Sequence, residues 1–436
     1  MNNGNVNNNN KNNTNYVLAV SEFQGIQEAG TPVFYLSEEG LWQAYQKCLE
    51  HKKSTASAVL FRINELANVR QLHKEISDGT YYPGTSIAFI TENREVFAAA
   101  FRDRVVHTWV AERIIPLLER QFVPTTWNCR EGKGVYWAVQ NLREQIRRVS
   151  EDYTKDAYII IFDLSGFFMG INREKAAGRL CKFVADRYVG EDKAVLLHLI
   201  RLIITHAPEE DCIRYGSPEE WAALPERKSL FHRHGLPIGD LLSQLDGNFE
   251  LDIIDHFITR HFESDRYVDD FALISQDKQA LLHAMPVIRQ MLELTCGAKV
   301  NPHKFKLCHW RDGFKYLGVI FREGKAYPSG KTIGKACNAV RYYNHIRNKE
   351  SRAQDFVSSL NSYLGLMKHY DTVEQREKIC NSIAPEWNTY IIISPGCEKI
   401  NVKYPRRQRL RSKLRQERRF FNNLKYSIKC AQSELS

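Results

Sequence analysis

Asp269 and Asp270 stand side by side in Tyr267-Val268-Asp269-Asp270, between two runs in which apolar residues alternate. That pattern predicts a hairpin with two carboxylates at its tip. Asp-Asp is a poor two-residue hairpin loop, which usually takes Asn-Gly or Gly, and adjacent carboxylates at a tight turn repel one another. A bound divalent cation removes that cost; taken alone, the pair also reads as a solvated acidic turn. Asp163 shifts the balance. It ends the apolar run AYIIIFD at 157–163, where a charge is costly to bury unless something sits beside it. If that strand pairs with the hairpin, Asp163 and Asp269 meet at one sheet edge. Three carboxylates then form a hard-oxygen site suited to Mg²⁺. Such a site can hold two ions roughly 3.5–4 Å apart, which clamp the attacking and leaving oxygens of an in-line phosphoryl displacement.

Elements must hold those residues in place. Ser86–Thr91 reads as a strand, Glu92-Asn93 as a turn and Arg94–Ala98 as the returning strand. From Asp103, Val106, Trp109, Val110, Arg113, Ile114 and Leu117 recur at helical spacing, with Asp103 as the expected cap. A buried strand at 157–163 is followed by a helix over 173–189. A polar, Pro-containing insertion precedes Pro237-Ile238-Gly239, which opens a helix running through Phe257. Residues 264–275 read as strand, tight turn, strand; 278–296 as an amphipathic helix; 315–321 as a further strand; and 335–394 as mostly helical. There is no internal repeat. A hairpin-based antiparallel sheet with helices on one face makes the fold class α+β, not doubly wound.

In this order, FDLSGFF at 162–168, GLPIGDLLSQ at 235–244 and YVDD at 267–270 resemble the palm motifs of reverse transcriptases. FRDRVVH at 101–107 and CREGKG at 129–134 resemble the finger motifs of the bacterial enzymes, and KVNPHKFKL at 299–307 and FKYLGV at 314–319 the later palm motifs. The resemblance runs from about residue 80 to 370. It implies a right hand of fingers, palm and thumb and RNA-templated addition of deoxynucleotides to a primer. The expected segments are a leader at 1–15, fingers with the first palm helix at 16–150, a palm at 151–330 with an insertion near 205–234, a helical thumb at 331–396 and a basic tail at 397–436. LPERKSLF at 224–231 followed by GLPIGDLLSQ resembles the subfamily found in diversity-generating retroelements, whose cDNA carries frequent errors at template adenines and rewrites part of a target gene. Most reverse transcriptases carry Gln-Gly and Ser-Pro in this motif; Ile238-Gly239 and Ser243-Gln244 are the subfamily's form. The sequence departs from that form at Asp240 and Leu242, where Asn and Thr are commoner, and at Asp246-Gly247. The alternatives are a retron, group II intron-like or phage-defence enzyme, against which 235–244 speaks, and a catalytically inactive RNA-binding scaffold, against which the three aspartates speak.

The resemblance also implies roles. Asp163, Asp269 and Asp270 are the catalytic set, and with Leu164 they form the metal site for two Mg²⁺ ions, with Mn²⁺ able to substitute. Phe168 matches the steric gate against a 2′-hydroxyl, although Phe167 beside it could take that place and leave Phe168 to pack. Arg94 matches a triphosphate-binding arginine. Arg130 and Lys133 flank Gly132 and Gly134, where a backbone can approach phosphate. Lys304 is expected near the leaving phosphate. Ile238 and Gly239 face the incoming nucleotide, with Ile238 bearing on fidelity or else merely packing the helix start. Tyr267 is expected to touch nucleic acid. SYLGLMKHY at 362–370 suits either a duplex-contacting surface or simple packing.

The net charge of +10 and a pI near 9.0 favour a polyanionic partner. Residues 405–419, PRRQRLRSKLRQERR, are dense in Arg and Lys with Glu417 as the lone acid. Arg406, Arg407, Arg409 and Arg411 are therefore expected on phosphates, a solvated basic helix being the other reading. Template RNA, the RNA/DNA duplex, dNTPs and a small basic accessory protein are the partners that follow. The leader MNNGNVNNNNKNNTN has neither the apolar core nor the basic lead-in of a signal peptide and reads as disordered. No run of 18 uncharged apolar residues occurs, so no membrane span is expected. Ten scattered cysteines without CxxC suit a reducing cytoplasm, in a bacterial or phage-infected cell. The spacing of Cys296, His303, Cys308 and His309 fits no zinc pattern.

Overall fold

The computed structural model describes residues 34–403, apart from 53–54, 92–93 and 233–234. The leader and the four arginines of the basic tail lie outside the described residues. In chain order the strands are β1 (Ser86–Thr91), β2 (Arg94–Ala98), β3 (Tyr158–Asp163), β4 (Cys212–Arg214), β5 (Glu263–Tyr267), β6 (Asp270–Ser275), β7 (Lys306–His309), β8 (Phe314–Tyr316), β9 (Val319–Arg322), β10 (Lys325–Pro328), β11 (Ile391–Ile393) and β12 (Ile400–Val402). The chain divides into two units. Of the described residues, one takes in those within 34–121 and 168–250, the other those within 122–167 and 251–403. Both are discontinuous in sequence.

In the first unit β1 pairs antiparallel with β2, from Ile87–Ala98 to Thr91–Arg94. The expected insertion supplies β4, which adds to β1 in parallel, a contribution that its polar sequence does not announce. Ala88, Phe97, Met169 and Leu230 form a buried cluster against which Ile238 packs. The helix after the hairpin runs Phe101–Gln121. Asp103 does not cap it. It is buried within the first turn, and its carboxylate accepts from Tyr81 Oη at 2.9 Å and Gly84 N at 2.9 Å. The later helix starts at Leu241, not at the Pro-Ile-Gly step. Asp240 opens it, its Oδ1 accepting from Leu242 N at 2.9 Å and lying 3.1 Å from His107 Nδ1. Burial alone would raise the Asp240 carboxyl, but the charge and hydrogen bond of His107 outweigh it and hold its pKa below the usual range.

The second unit is built on the antiparallel sheet β5-β6-β3-β7. β3 is central and buried on both faces, which explains its unbroken apolar sequence. Ile159 and Ile161 join Ala272 and Ile274 of β6 and Val139, Leu142 and Ile146 of the helix Val135–Val149 in one cluster. On the alternate positions Phe162 and Phe271 stack, ring centroids 4.8 Å apart. Fully burying each ring contributes about 1.5–3 kcal/mol. The helix Lys278–Cys296 is delimited by local signals: Asp277 Oδ1 accepts from Gln279 N and Ala280 N, and Gly297 closes it at φ +68°.

The single strand expected at 315–321 is two strands. Tyr316 pairs with Val319, and Leu317 and Gly318 turn between them at φ +47° and +79°. That is the left-handed pair of a tight hairpin, and Leu at its first position hides it in the sequence. The helices Gly330–Asn344, Lys349–Met367 and Val373–Asn381 pack about Phe356, Leu360 and Trp387. β11 and β12 pair, and Ile391 and Ile400 join that core. No helix among the described residues is long and apolar enough to cross a membrane.

Candidate active site

In the second unit, β3 and β6 place Asp163 opposite Asp270. β5 and β6 pair Tyr267 with Asp270, so the two-residue loop is Val268-Asp269 and Asp270 already belongs to the strand. This corrects the expectation that both carboxylates sit in the turn. It also makes Asp270, not Asp269, the cross-strand partner of Asp163. Val268 takes φ +58°, whereas Asp269 does not enter the left-handed region. A positive φ at the first loop position alone matches a II′ turn, which normally takes Gly there. For a β-branched residue it is a strained conformation.

The three aspartates converge. One carboxylate oxygen from each of Asp163, Asp269 and Asp270 lies within 4.8 Å of the others, and among the described residues no other group of acidic, His or Cys side chains gathers in this way. Asp163 is buried; Asp269 and Asp270 are half-buried. The donor set is carboxylate oxygen only, which fits Mg²⁺ or Mn²⁺ and not a thiolate- or imidazole-seeking metal. Leu164 is buried beside it, its N–H donating to the Asp269 carbonyl at 3.2 Å. Tyr316 Oη donates to the Asp270 carbonyl at 3.3 Å.

The later palm motif brings the countercharge. Lys304 Nζ lies 2.8 Å from Asp163 Oδ1. Burial would lower the lysine's pKa, but the hydrogen bond to Asp163 and the charges of Asp163, Asp270 and Asp269 more than offset it, and the ammonium stands above the ordinary range. Asn301, which sequence reasoning did not single out, carries this turn. Its N–H donates to the Asp163 carbonyl at 2.8 Å, its Nδ2 to Asp163 Oδ2 at 3.4 Å, and its Oδ1 accepts from His303 N at 3.1 Å. An Asn before Pro is a familiar cap, and that was the available signal.

A family model described as reverse transcriptase (RNA-dependent DNA polymerase) matches residues 93–321. The chain belongs to that family. It is an RNA-directed DNA polymerase, and its fold class is the α+β right-hand polymerase class of fingers, palm and thumb. A curated relative, "Protein YkfC" of Escherichia coli strain K12, is 22% identical over 301 residues, covering 61% of this chain and 70% of the relative. Similar solved structures include telomerase from Candida albicans in complex with a fragment of telomeric RNA, at 11% identity, TM-score 0.41, over 69% of this chain and 55% of that one. Apo telomerase from Candida tropicalis matches at 13% identity, TM-score 0.39, over 64% and 47%. The chain thus spans about half the length of these telomerase chains.

Other residues expected to serve the reverse transcriptase lie as follows. Phe168, where the first unit resumes, is half-buried, whereas Phe167, which ends a stretch of the second unit, is buried. The Phe168 carbonyl accepts from Leu236 N at 2.7 Å, and a Cβ on Gly235 would collide with that carbonyl oxygen. Ile238 is half-buried, and its carbonyl accepts from Phe97 N at 2.8 Å. Gly239 is held at φ +111° against the Phe97 carbonyl, where any side chain would crowd it. Arg94 is exposed at the start of β2.

In the second unit Arg130 Nη1 donates to the carbonyls of Val123 and Thr126, and Lys133 Nζ to that of Pro124. Both cations therefore buttress their own loop. Gly132 and Gly134 adopt φ +69° and +149°, with open space where a Cβ would point. Tyr267 is half-buried, and burial raises its phenol pKa.

Proposed function

We propose that the polymerase works through divalent ions held by Asp163, Asp269 and Asp270 with the backbone at Leu164, and that it copies the template RNA of a diversity-generating retroelement with errors at adenines. The convergence of the three carboxylates at the end of β3 and the tip of the β5–β6 hairpin carries the first part. Two Mg²⁺ ions bound there would activate a primer 3′-hydroxyl and neutralise the triphosphate and its pyrophosphate leaving group. The chain's own residues prepare that chemistry. Asn301 and Lys304 fix the orientation of the Asp163 carboxylate. Lys304 also offers an ammonium that can turn towards a departing phosphate, with Arg94, Arg130 and Lys133 as further phosphate partners. Phe168 is the ring proposed to exclude a ribose 2′-hydroxyl, and Tyr267 the one proposed to rest on nucleic acid. Template RNA, dNTPs, the nascent duplex and a small basic accessory protein are the partners of this reading, with phosphate contacts from the tail arginines, in the cytoplasm of a bacterial or phage-infected cell.

The retroelement part rests on Ile238. Its side chain belongs to an apolar cluster with Ala88, Phe97, Met169 and Leu230. Where most relatives present a glutamine that can donate and accept hydrogen bonds, this stiff side chain does neither. A polar check rejects a mispair because it leaves buried polar groups unsatisfied; an apolar wall discriminates through packing alone. Ile238→Gln is expected to lower misincorporation about ten-fold opposite template adenines and to leave extension in place, one lost or gained polar check being of order 1–3 kcal/mol. Sequencing cDNA made by both proteins on one adenine-rich RNA tests this. Low error at adenine in the parent enzyme contradicts the retroelement reading; equal error in both proteins removes Ile238 from the account of fidelity.

A further inference from the structure

A strained valine at the tip of the catalytic hairpin requires something to hold it. A residue kept in a sparsely populated backbone region costs of order 1–3 kcal/mol and persists only where its surroundings over-determine it. At Val268 they do, through both faces of one peptide turn. The Val268 N–H donates to Asn128 Oδ1 at 2.9 Å. The Val268 carbonyl accepts from Arg266 Nη1 at 2.9 Å.

Neither partner is free to drift. Arg266 is 2% exposed and lies in a fork on Asp255, with Nε 2.8 Å from both carboxylate oxygens and Nη2 2.6 Å from Oδ2. Asp255, on the helix Leu241–His261, also accepts from Thr126 Oγ1 at 3.0 Å. The segment bearing Thr126 and Asn128 is tied to β5 by backbone bonds in both directions: Trp127 N to the Arg266 carbonyl and Arg266 N to the Thr125 carbonyl, each 3.0 Å. Asn128 itself is 3% exposed.

We infer that Asn128, Arg266 and Asp255 are positioning residues for the metal-binding carboxylates. They set the two peptide groups that flank Val268, and through them the direction in which Asp269 leaves the turn, without touching substrate or ion. The chemistry fits that task. An amide oxygen accepts one N–H in a fixed plane. A guanidinium held bidentate by a carboxylate presents its remaining N–H in a fixed direction, which a lysine does not. The mutual proximity of three carboxylates is unfavourable, so a turn left to itself would relax by swinging Asp269 away. The inference rests on the metal site proposed above and adds to it the groups that keep it assembled.

The test compares Mn²⁺ binding, read by electron paramagnetic resonance in the absence of nucleotide, with RNA affinity and extension, in Asn128→Leu, Asn128→Asp and Asp269→Ala full-length proteins. Groups that orient metal ligands are typically worth 10–100-fold in metal affinity or activity. Asn128→Leu, which has no acceptor, is expected to weaken Mn²⁺ binding at least about ten-fold and to lower kcat by a similar factor, with KM for dNTP and RNA affinity unchanged. Asn128→Asp keeps an acceptor and is expected to stay within about three-fold of the parent, on the same scale. If Asn128→Leu does not fold, Arg266→Lys provides the same reading, since it retains the charge beside Asp255 and loses the fork. Wild-type Mn²⁺ affinity in the folded acceptor-less variant, with Asp269→Ala unable to bind, overturns the brace and leaves the metal site standing. Wild-type Mn²⁺ affinity in Asp269→Ala overturns the metal site and the inference with it.

Discussion

Asp269→Ala is expected to abolish primer extension while leaving RNA affinity and its salt dependence as they are in the parent. The variant removes one of three carboxylates whose oxygens gather within 4.8 Å, and on the proposed reading an ion held by all three would lose a ligand. Groups that merely orient a metal ligand are typically worth 10–100-fold, so loss of the ligand itself is expected to exceed about 10³-fold in kcat. On the proposed reading, RNA affinity rests on phosphate neutralisation by cations elsewhere on a basic chain, and its slope against salt counts those contacts. Removing an anion at the hairpin tip takes none of them away. Asp163→Ala is expected to behave in the same way, with the added effect of stranding Lys304, whose ammonium lies 2.8 Å from the Asp163 carboxylate. Appreciable extension by Asp269→Ala on an RNA template would sink the assignment of the site.

The largest stability effect is expected in the C-terminal helical cluster. Trp387 is fully buried and its ring lies among Tyr343, Phe356 and Tyr390, with centroids 6.5, 4.7 and 6.3 Å away. Trp387→Ala removes the largest side chain of that cluster and is expected to cost about 3–5 kcal/mol, by lost burial and by the cavity left behind. Trp387→Phe separates packing from polarity. The indole Nε1 is buried without a hydrogen-bond partner, a condition that itself costs about 1–3 kcal/mol. Exchanging it for an apolar ring recovers part of what the smaller volume loses, and the net cost is expected to be under about 1.5 kcal/mol, as for volume-conserving swaps. Thermal unfolding of the three proteins measures both. An unchanged midpoint for Trp387→Ala would mean that this ring does not organise the cluster.

How much of this was legible in the sequence depended on the range of the interactions. β1, β2, the β5–β6 hairpin and the helix Lys278–Cys296 follow from alternation, turns and caps only a few residues apart, and these elements lie where their patterns place them. Asp163, Asp269, Asp270 and Lys304 stood out because charge at the end of an apolar strand is costly and because the surrounding motifs resemble those of the family. Local patterns failed where a residue broke its own rule. Leu317 at φ +47° concealed a turn, and Val268 at φ +58° concealed the place of Asp269 in the loop. Buried Asp103 passed for a helix cap because its partners, Tyr81 and Gly84, lie on an earlier segment. The brace around Val268 was out of reach altogether. Asn128 meets Val268 across 140 positions and Thr126 meets Asp255 across 129, and nothing in either stretch alone signals the other.

On the proposed reading, RNA-templated DNA synthesis runs on divalent ions held by the three aspartates. The most direct test of that reading is extension of a DNA primer annealed to an RNA template by the full-length protein, first with EDTA in excess and then with Mg²⁺ restored step by step. No product is expected under EDTA, followed by recovery of dNTP-dependent extension as free Mg²⁺ rises and parallel recovery with Mn²⁺. Extension that persists in EDTA, or a protein that stays inactive on RNA templates at every Mg²⁺ and Mn²⁺ concentration, would contradict it.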